Sequence, residues 1–118
     1  MSRIRNNKAK IVIMMGPKMF RIFEKIKQTY TMDYFKLTKK KRNLIAEEIA
    51  TTILSATIMM FNNYEQGELQ DIFDIAITNL QNLETTFVDE EQYGFAAMMR
   101  DSIIKLQDDL SEMVEPKL

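Results

Sequence analysis

Two stretches in the second half of the chain repeat apolar residues at alternating spacings of four and three positions. This periodicity is typical of amphipathic helices with a single apolar seam. The first seam consists of Leu69, Phe73, Ala76, Leu80, Leu83 and Phe87. The second seam consists of Ala96, Met99, Ile103, Leu106, Leu110 and Met113. Because only a few residues separate the two seams, the pattern predicts an antiparallel helical hairpin over residues 67–113.

The join between the two seams carries residues that favour the start of a helix. Asp89 is a good N-cap, and Gln92 stands three positions later, where a capping box has its second member. Val88 and Tyr93 occupy the two positions of a hydrophobic staple. We therefore predict that Asp89 caps the second helix of the hairpin.

The chain before the hairpin predicts two further helices. Apolar residues recur at helical spacing over residues 18–30, and Pro17 suits the first turn of that helix. Thr38 is a suitable N-cap for a long helix near residues 38–63. Because the second half of this long helix is apolar nearly all round, we expect it to be the buried centre of the fold.

The chain as a whole predicts one all-α domain, a small helical bundle that ends in the hairpin. A length of 118 residues with 46% hydrophobic residues suits a single core. Within this domain, 1–118, we distinguish a basic N-terminal segment (1–17), the basic and central helices (18–63) and an acidic hairpin (67–113). The apolar run within residues 4–15 fits either a helix or a strand.

The beginning of the second hairpin helix resembles a known family. Residues 93–106 read Tyr-Gly-Phe-Ala-Ala-Met-Met-Arg-Asp-Ser-Ile-Ile-Lys-Leu. This run is similar to the second helix of the UVR motif, in which an aromatic residue and an acid precede Ala-Ala, Arg-Asp, Ile and Leu. Gly94 stands at the position of the acid. The UVR motif is a helical hairpin that makes protein–protein contacts in excision-repair nuclease subunits and in regulators of bacterial proteases, so the resemblance implies a protein-binding hairpin.

Charge is distributed unevenly along the chain, although the net charge is only −1. Residues 1–42 carry thirteen Lys/Arg against two Asp/Glu, a net charge of +11. Residues 43–118 carry three Lys/Arg against fifteen Asp/Glu, a net charge of −12. The two halves of the sequence are therefore oppositely charged, which favours association between copies of the chain as a homo-oligomer.

The candidate binding residues are bases on helix 18–30 and in the first turn of the long helix: Arg21, Lys25, Lys39, Lys40, Lys41 and Arg42. The basic side of helix 18–30 suits nucleic acid, an anionic membrane surface or an acidic protein, as well as plain solvation. The other four bases lie at the positive end of a helix macrodipole, where positive charge is unfavourable. Either the acidic hairpin of the same or another subunit neutralises them, or an anionic partner binds them.

Two residue types with central roles in catalysis are missing from the chain. It contains no cysteine and no histidine, which excludes disulfides, ordinary zinc sites and the Ser-His-Asp and Cys-His nucleophilic systems. It also has no Gly-rich phosphate loop and no EF-hand spacing. We therefore predict that the protein is not an enzyme and has no cofactor and no metal site.

Composition also bears on the setting of the protein. The only candidate for a signal peptide is a five-residue apolar run that ends at Gly16-Pro17, which is too short, and no run is long enough to span a membrane. Frequent Ile, Lys and Asn with few Val indicate an AT-rich genome. We expect a cytoplasmic protein of bacterial or phage origin.

Two function classes remain open at this stage. The first is a small noncatalytic adaptor or regulatory protein that binds a protein partner through helical surfaces. The alternative is a nucleic-acid-binding protein that uses the basic first third, residues 3–42. In that alternative, exposed aromatic side chains would stack on bases, and the candidates are Phe20, Phe23, Tyr30, Tyr34 and Phe35.

Overall fold

The computed structural model describes residues 3–61 and 64–114. The α-helices within them are α1 (Arg3–Asn6), α2 (Lys8–Met14), α3 (Gly16–Thr29), α4 (Lys39–Ile58), α5 (Leu69–Asp89) and α6 (Tyr93–Val114). Two short 3₁₀ helices, Tyr34–Lys36 and Gln66–Glu68, lie in the connections before α4 and α5. Since no strand occurs in these residues, the predicted all-α fold is confirmed.

Helices α5 and α6 form the predicted antiparallel hairpin. Leu80 of α5 and Met99 and Leu106 of α6 are at most 1% exposed, so these parts of the predicted seams face the core. Met113, the last member of the second predicted seam, is 52% exposed and lies outside the core. Across the hairpin, the guanidinium Nε of Arg100 donates to Oε2 of Glu84 at 3.2 Å. Burial of each large apolar side chain contributes about 1.5–3 kcal/mol, so these seams are a major source of the stability of the hairpin.

The turn between α5 and α6 differs from the predicted capping box. Helix α5 continues through Asp89, so its assignment as the N-cap of the next helix is wrong. Glu91 has a φ of 60°. The N–H of Gln92 donates to the carbonyl of Phe87 at 2.8 Å, and the N–H of Glu91 donates to the carbonyl of Val88 at 3.0 Å. These two bonds form a Schellman motif, so α6 begins at Tyr93 rather than at Glu90, directly after the predicted cap.

The predicted hydrophobic staple is also absent from this turn. Val88 and Tyr93 are 41% and 56% exposed, respectively. Val88 lies in the last turn of α5 and not directly before an N-cap. Its side chain and that of Tyr93 are therefore not placed to pack together at the start of α6. The ring of Tyr93 consequently lies at the surface, next to the turn.

Helix α5 lies at the centre of the fold, where α6, α4 and the N-terminal helices all contact it. Buried side chains surround most of its first three turns, at Asp71, Ile72, Phe73, Ile75, Ala76, Ile77, Asn79 and Leu80. The prediction that the long helix near residues 38–63 is the buried centre is therefore wrong. Helix α4 ends at Ile58, and Met59 and Met60 after it are 73% and 39% exposed.

Residues 4–15, for which the sequence left helix and strand open, are helical. Helices α1, α2 and α3 together form an N-terminal arm (residues 3–29). Met15 joins α2 to α3, since its N–H donates to Ile11 at 3.0 Å and its carbonyl accepts from Met19 at 2.9 Å. Pro17 lies in the first turn of α3, as predicted, and its missing N–H interrupts the helical ladder at this junction.

The N-terminal arm lies alongside α5 and runs in the same direction. Three contacts along the arm pair Arg5 with Asp71 (3.1 Å), Met15 with Asn79 (3.4 Å) and Phe23 with Phe87 (ring centroids 4.4 Å apart). Because the numbers of both partners rise together, the two elements are parallel. One face of the arm is thus buried against α5, and the opposite face is left on the outside.

The bundle is flattened, with extents of 44 × 39 × 21 Å. Its shortest dimension is about that of two packed helices, whose axes lie roughly 8–10 Å apart. A slab of this thickness has two broad faces, so a large part of the outer surface of each helix stays accessible. None of the helices in the described residues is long and apolar enough to cross a bilayer.

Candidate interaction surfaces

The predicted basic cluster at the start of α4 is exposed. Thr38 caps the helix as predicted, because its Oγ1 accepts a hydrogen bond from the N–H of Lys41 at 3.2 Å. The side chains of Lys39, Lys40 and Lys41 face solvent. None of these three lysines forms an ion pair with an acid in the described part of the chain. Neutralisation of the cluster by the hairpin of the same subunit is therefore not present in this structure.

Arg42, the fourth member of that cluster, has a different environment. Its side chain is half-buried, and its Nε is enclosed without a hydrogen-bond partner. Its carbonyl lies 3.4 Å from the hydroxyl of Tyr34, which also donates to Oδ2 of Asp101 on α6. Burial, followed by the hydrogen bond to Asp101, raises the pKa of Tyr34 well above its ordinary value. The segment between α3 and α4, residues 30–38, is the connector. Arg42 therefore lies where the connector, α4 and α6 meet, rather than on an open surface.

The other two predicted binding residues, Arg21 and Lys25, are exposed on α3. Lys25 lines a groove of about 190 Å³ between α3 and α4, together with Tyr30 and Glu48. Burial, and then the charge and hydrogen bond of Glu48, raise the pKa of Tyr30 to about 12. This groove meets α4 roughly two and a half turns beyond Lys39. The candidate bases thus occupy two separate surfaces, one on α3 and one at the start of α4.

The aromatic residues proposed for base stacking are mostly not available. Phe23 and Tyr34 are 5% and 1% exposed, so both belong to the core. Tyr30 is half-buried beside Glu48. Phe20 and Phe35 are exposed. The prediction that exposed rings stack on bases is therefore wrong for Phe23 and Tyr34. Phe23 packs on Phe87 of α5, and Tyr34 is held by its hydrogen bond to Asp101 of α6.

A groove that the sequence did not indicate lies between the connector and the start of α6. This hairpin-turn groove encloses about 350 Å³, and its apolar lining includes Met32, Phe35, Tyr93, Phe95 and Met98. Three of these side chains are displayed to solvent: Met32 is 44% exposed, Phe35 60% and Tyr93 56%. Adaptable methionines and rigid aromatic rings together are typical of surfaces that bind apolar side chains of a partner.

Hydrogen bonds on both sides fix the shape of the hairpin-turn groove. The Asp33 carboxylate accepts a hydrogen bond from the N–H of Phe35 at 3.1 Å and so caps the short 3₁₀ helix. Tyr34, buried under the groove and bonded to Asp101, fixes the connector to α6. Adjacent aromatics in a short connector rarely both face the core. The adjacent pair Tyr34-Phe35 was therefore a signal in the sequence that one of the two rings is exposed.

One acid, Asp33, lines the hairpin-turn groove directly. Glu91 is exposed two residues before Tyr93 in the turn, whereas Glu90 lines another groove, between α3 and α5. A partner that fits this groove has an apolar side chain for the centre and basic side chains at the edge.

The residues of the UVR-like stretch have identifiable contacts in this chain. Ala96, Ile103 and Leu106 are buried. Arg100 joins α6 to Glu84 of α5, and Asp101 accepts from the connector. The aromatic residue that opens the stretch is Tyr93, the exposed ring at the hairpin-turn groove. The stretch therefore combines core residues, two anchoring charges and one surface aromatic.

In the described part of the chain, no group of three or more acidic side chains converges in a way that would hold a metal ion. No protein-family model, curated protein or solved structure matches this chain.

Proposed function

We propose that this chain is a small noncatalytic adaptor or regulatory protein, of bacterial or phage origin, that binds a protein partner at the hairpin-turn groove. The observation that carries the proposal is the display of Phe35 and Tyr93 on one groove that the Asp33 carboxylate also lines. The expected partner segment has an apolar anchor flanked by Lys or Arg. The UVR resemblance supports the same use of the hairpin, since the similar stretch begins at Tyr93.

Two exposed rings are sufficient to account for specific binding. Aromatic anchors at the centre of an interface commonly contribute 2 kcal/mol or more each when truncated, which corresponds to roughly a 30-fold change in Kd. Because the connector is already fixed by the Tyr34–Asp101 hydrogen bond, little conformational entropy is lost when a partner binds. The groove is thus a preorganised surface.

The test uses a double variant that combines Phe35→Ala and Tyr93→Ala. Its control is Ile104→Ala, which lies on α6 like Tyr93. Ile104 is 49% exposed but is not part of the groove lining. Partners are captured from nuclease-treated host extract, purified, and titrated against each protein by calorimetry. The double variant is expected to weaken binding at least 100-fold and the control less than 3-fold. Equal binding by all three proteins contradicts the proposal.

A second candidate function, nucleic-acid binding, is supported by one observation: the three lysines of α4 are exposed and form no ion pair with any acid in residues 3–61 and 64–114. If they contact phosphates, binding to a labelled oligonucleotide falls with a log–log salt slope of roughly −0.7 to −0.9 per phosphate. Changing Lys39, Lys40 and Lys41 to Gln then reduces that slope by two to three units. We expect no binding by wild type at about 50 mM salt, and steep binding that the variant loses would promote this candidate.

Cytoplasmic location and self-association belong to the proposal as well. Arg5–Asp71 joins the basic first 42 residues to the acidic remainder, whereas Lys39, Lys40 and Lys41 form no ion pair with an acid among the described residues. The charge of these lysines can therefore act between copies. Light scattering over a range of protein concentrations at low salt is expected to show a homo-oligomer, and a constant monomer mass would remove this part of the proposal.

A further inference from the structure

The outer face of the N-terminal arm combines protruding apolar side chains with bases. Ile13 is 77% exposed, Met14 59% and Phe20 63%. The bases on this face are Lys10, Arg21 and Lys25, all exposed. We call these six residues the outer arm face. None of the six residues lines the hairpin-turn groove.

Burial along the arm follows one helical phase through both α2 and α3. Each residue turns the chain by about 100° around the helix axis. Phe20 therefore lies within about 20° of Ile13 on one side, and Lys10, Arg21 and Lys25 lie within about 120° of Ile13 on the other side. The buried residues Met15, Met19, Phe23 and Ile26 occupy the opposite side, which faces α5. The outer arm face is consequently one continuous strip along two helices. Its apolar side chains are not part of the core.

The arm contributes charge of a single sign to most of this strip. Residues 1–23 contain no Asp or Glu. The first acid, Glu24, lies near the end of the strip and pairs with Lys27 at 3.3 Å. Two acids of other elements border the strip, Glu48 in the groove that Lys25 lines and Glu90 in the groove that Phe20 lines. Among the described residues, neither forms an ion pair with Lys10, Arg21 or Lys25, so the strip presents positive charge beside exposed Ile, Met and Phe.

We propose that the outer arm face binds the surface of an anionic lipid bilayer, with Ile13, Met14 and Phe20 inserted among the headgroups. Basic side chains beside protruding apolar ones are the combination that an anionic bilayer favours, since phosphates attract the bases and the acyl boundary takes up the apolar groups. A nucleic acid would use the bases but leave Ile13 and Met14 in water. A bilayer is also locally flat, as the strip requires. Helices α4 and α5 border the strip only at its two edges, beside Lys25 and Phe20 respectively.

The first test is sedimentation with vesicles of phosphatidylcholine, with and without 30% phosphatidylglycerol. Wild type is expected to sediment only with the anionic vesicles. Changing Lys10, Arg21 and Lys25 to Gln is expected to lower the partition coefficient on the order of 100-fold. The matched control changes the same number of bases elsewhere, Lys39, Lys40 and Lys41, to Gln, and is expected to change partitioning less than 5-fold. Equal loss in both variants overturns the proposal.

The apolar contribution has its own variant and control. The double variant Ile13→Ser with Phe20→Ser is expected to reduce partitioning at least 10-fold. Met59→Ser with Ile104→Ser removes two side chains that are 73% and 49% exposed on other surfaces, and should change little. Far-UV circular dichroism confirms that each variant is folded. Unchanged sedimentation of the arm variant overturns the proposal.

A fluorescence measurement tests insertion without weakening the surface. The chain contains no tryptophan, so Phe20→Trp introduces a single indole reporter. Its emission is expected to shift to the blue with anionic vesicles, whereas Phe35→Trp, at a phenylalanine of similar exposure, is expected not to shift. If wild type instead binds poly-glutamate and not anionic vesicles, the outer arm face recognises acidic protein and the bilayer assignment is wrong. Absence of binding to anionic vesicles also overturns it.

Discussion

The stack of Phe23 on Phe87 is the point at which the attachment of the N-terminal arm is most directly tested. Phe87 is fully buried, and its ring lies 4.4 Å from that of Phe23 and 5.1 Å from that of Phe95. One residue each from α3, α5 and α6 thus meets at this site. Removing the central ring by Phe87→Ala is expected to lower the free energy of unfolding by about 3–5 kcal/mol.

That loss is large beside the total stability of a domain, which is about 5–15 kcal/mol. Urea denaturation followed by circular dichroism measures it, and the midpoint is expected to fall by roughly 2 M. Phe20→Ala is the matched control, because it makes the same change on the same helix as Phe23 at a ring that is 63% exposed. The control is expected to stay within about 0.5 kcal/mol of wild type.

A double-mutant cycle separates the stack from the general effect of a cavity. Phe23→Leu, Phe87→Leu and the double variant are expected to give a coupling free energy of about 0.5–1.5 kcal/mol, the contribution of an aromatic pair beyond burial. A coupling near zero would show that α3 is not held against α5 at this place. The orientation of the outer arm face would then need to be revised.

Two further measurements follow from the structure. The pKa of Tyr30 is raised from 10.0 to about 12 by burial and by Glu48, so the unfolded chain loses this proton first and stability is expected to fall as pH rises from 10 to 12. Tyr30→Phe should flatten that decline in pH-dependent thermal melts, and an unchanged slope would count against the assignment. Glu91, at a φ of 60°, occupies a position that favours glycine, so Glu91→Gly is expected to add about 1 kcal/mol in urea denaturation. A destabilised Glu91→Gly variant would contradict the Schellman geometry.

The hairpin seams were predictable because their periodicity reports burial directly. Leu80, Met99 and Leu106 face the core as their spacing requires. The cap at Thr38 was also predictable, since a side-chain oxygen at an N-cap acts locally on the backbone of the next turn. Both features depend on neighbours that are close in sequence.

The turn and the centre of the fold were not predictable for a physical reason. A Glu at a left-handed φ is unfavourable, so nothing in the sequence marks Glu91 as the end of a Schellman motif, whereas Asp89 has the chemistry of an N-cap. The apolar second half of α4 suggested a central helix. However, α5 is at the centre because the arm packs on its remaining side, and this depends on contacts between residues more than sixty positions apart.

Of the candidate surfaces, the lysine cluster was predictable from the sequence and the hairpin-turn groove was not. The exposure of Lys39, Lys40 and Lys41 agrees with the charge pattern, because four adjacent bases are too costly to bury. The hairpin-turn groove was missed because it is formed by Phe35 of the connector and Tyr93 of α6, which the fold brings together. The apolar periodicity of one helix does not show which residues of another segment lie next to it.

The parallel packing of the arm on α5 also determines the order in which the chain acquires its structure. The contacts of Arg5 and Met15 with α5 span 66 and 64 residues, whereas α5 and α6 are joined by a tight turn. Because contacts over long sequence separations form more slowly, we expect the hairpin to form first and the arm to be added last. Native-state hydrogen exchange should accordingly show the arm opening before the hairpin, and uniform protection of both would argue against this order. On the ribosome, at about 5–20 residues per second, the inner face of the arm is exposed for about 3–13 s before the matching part of α5 has been synthesised.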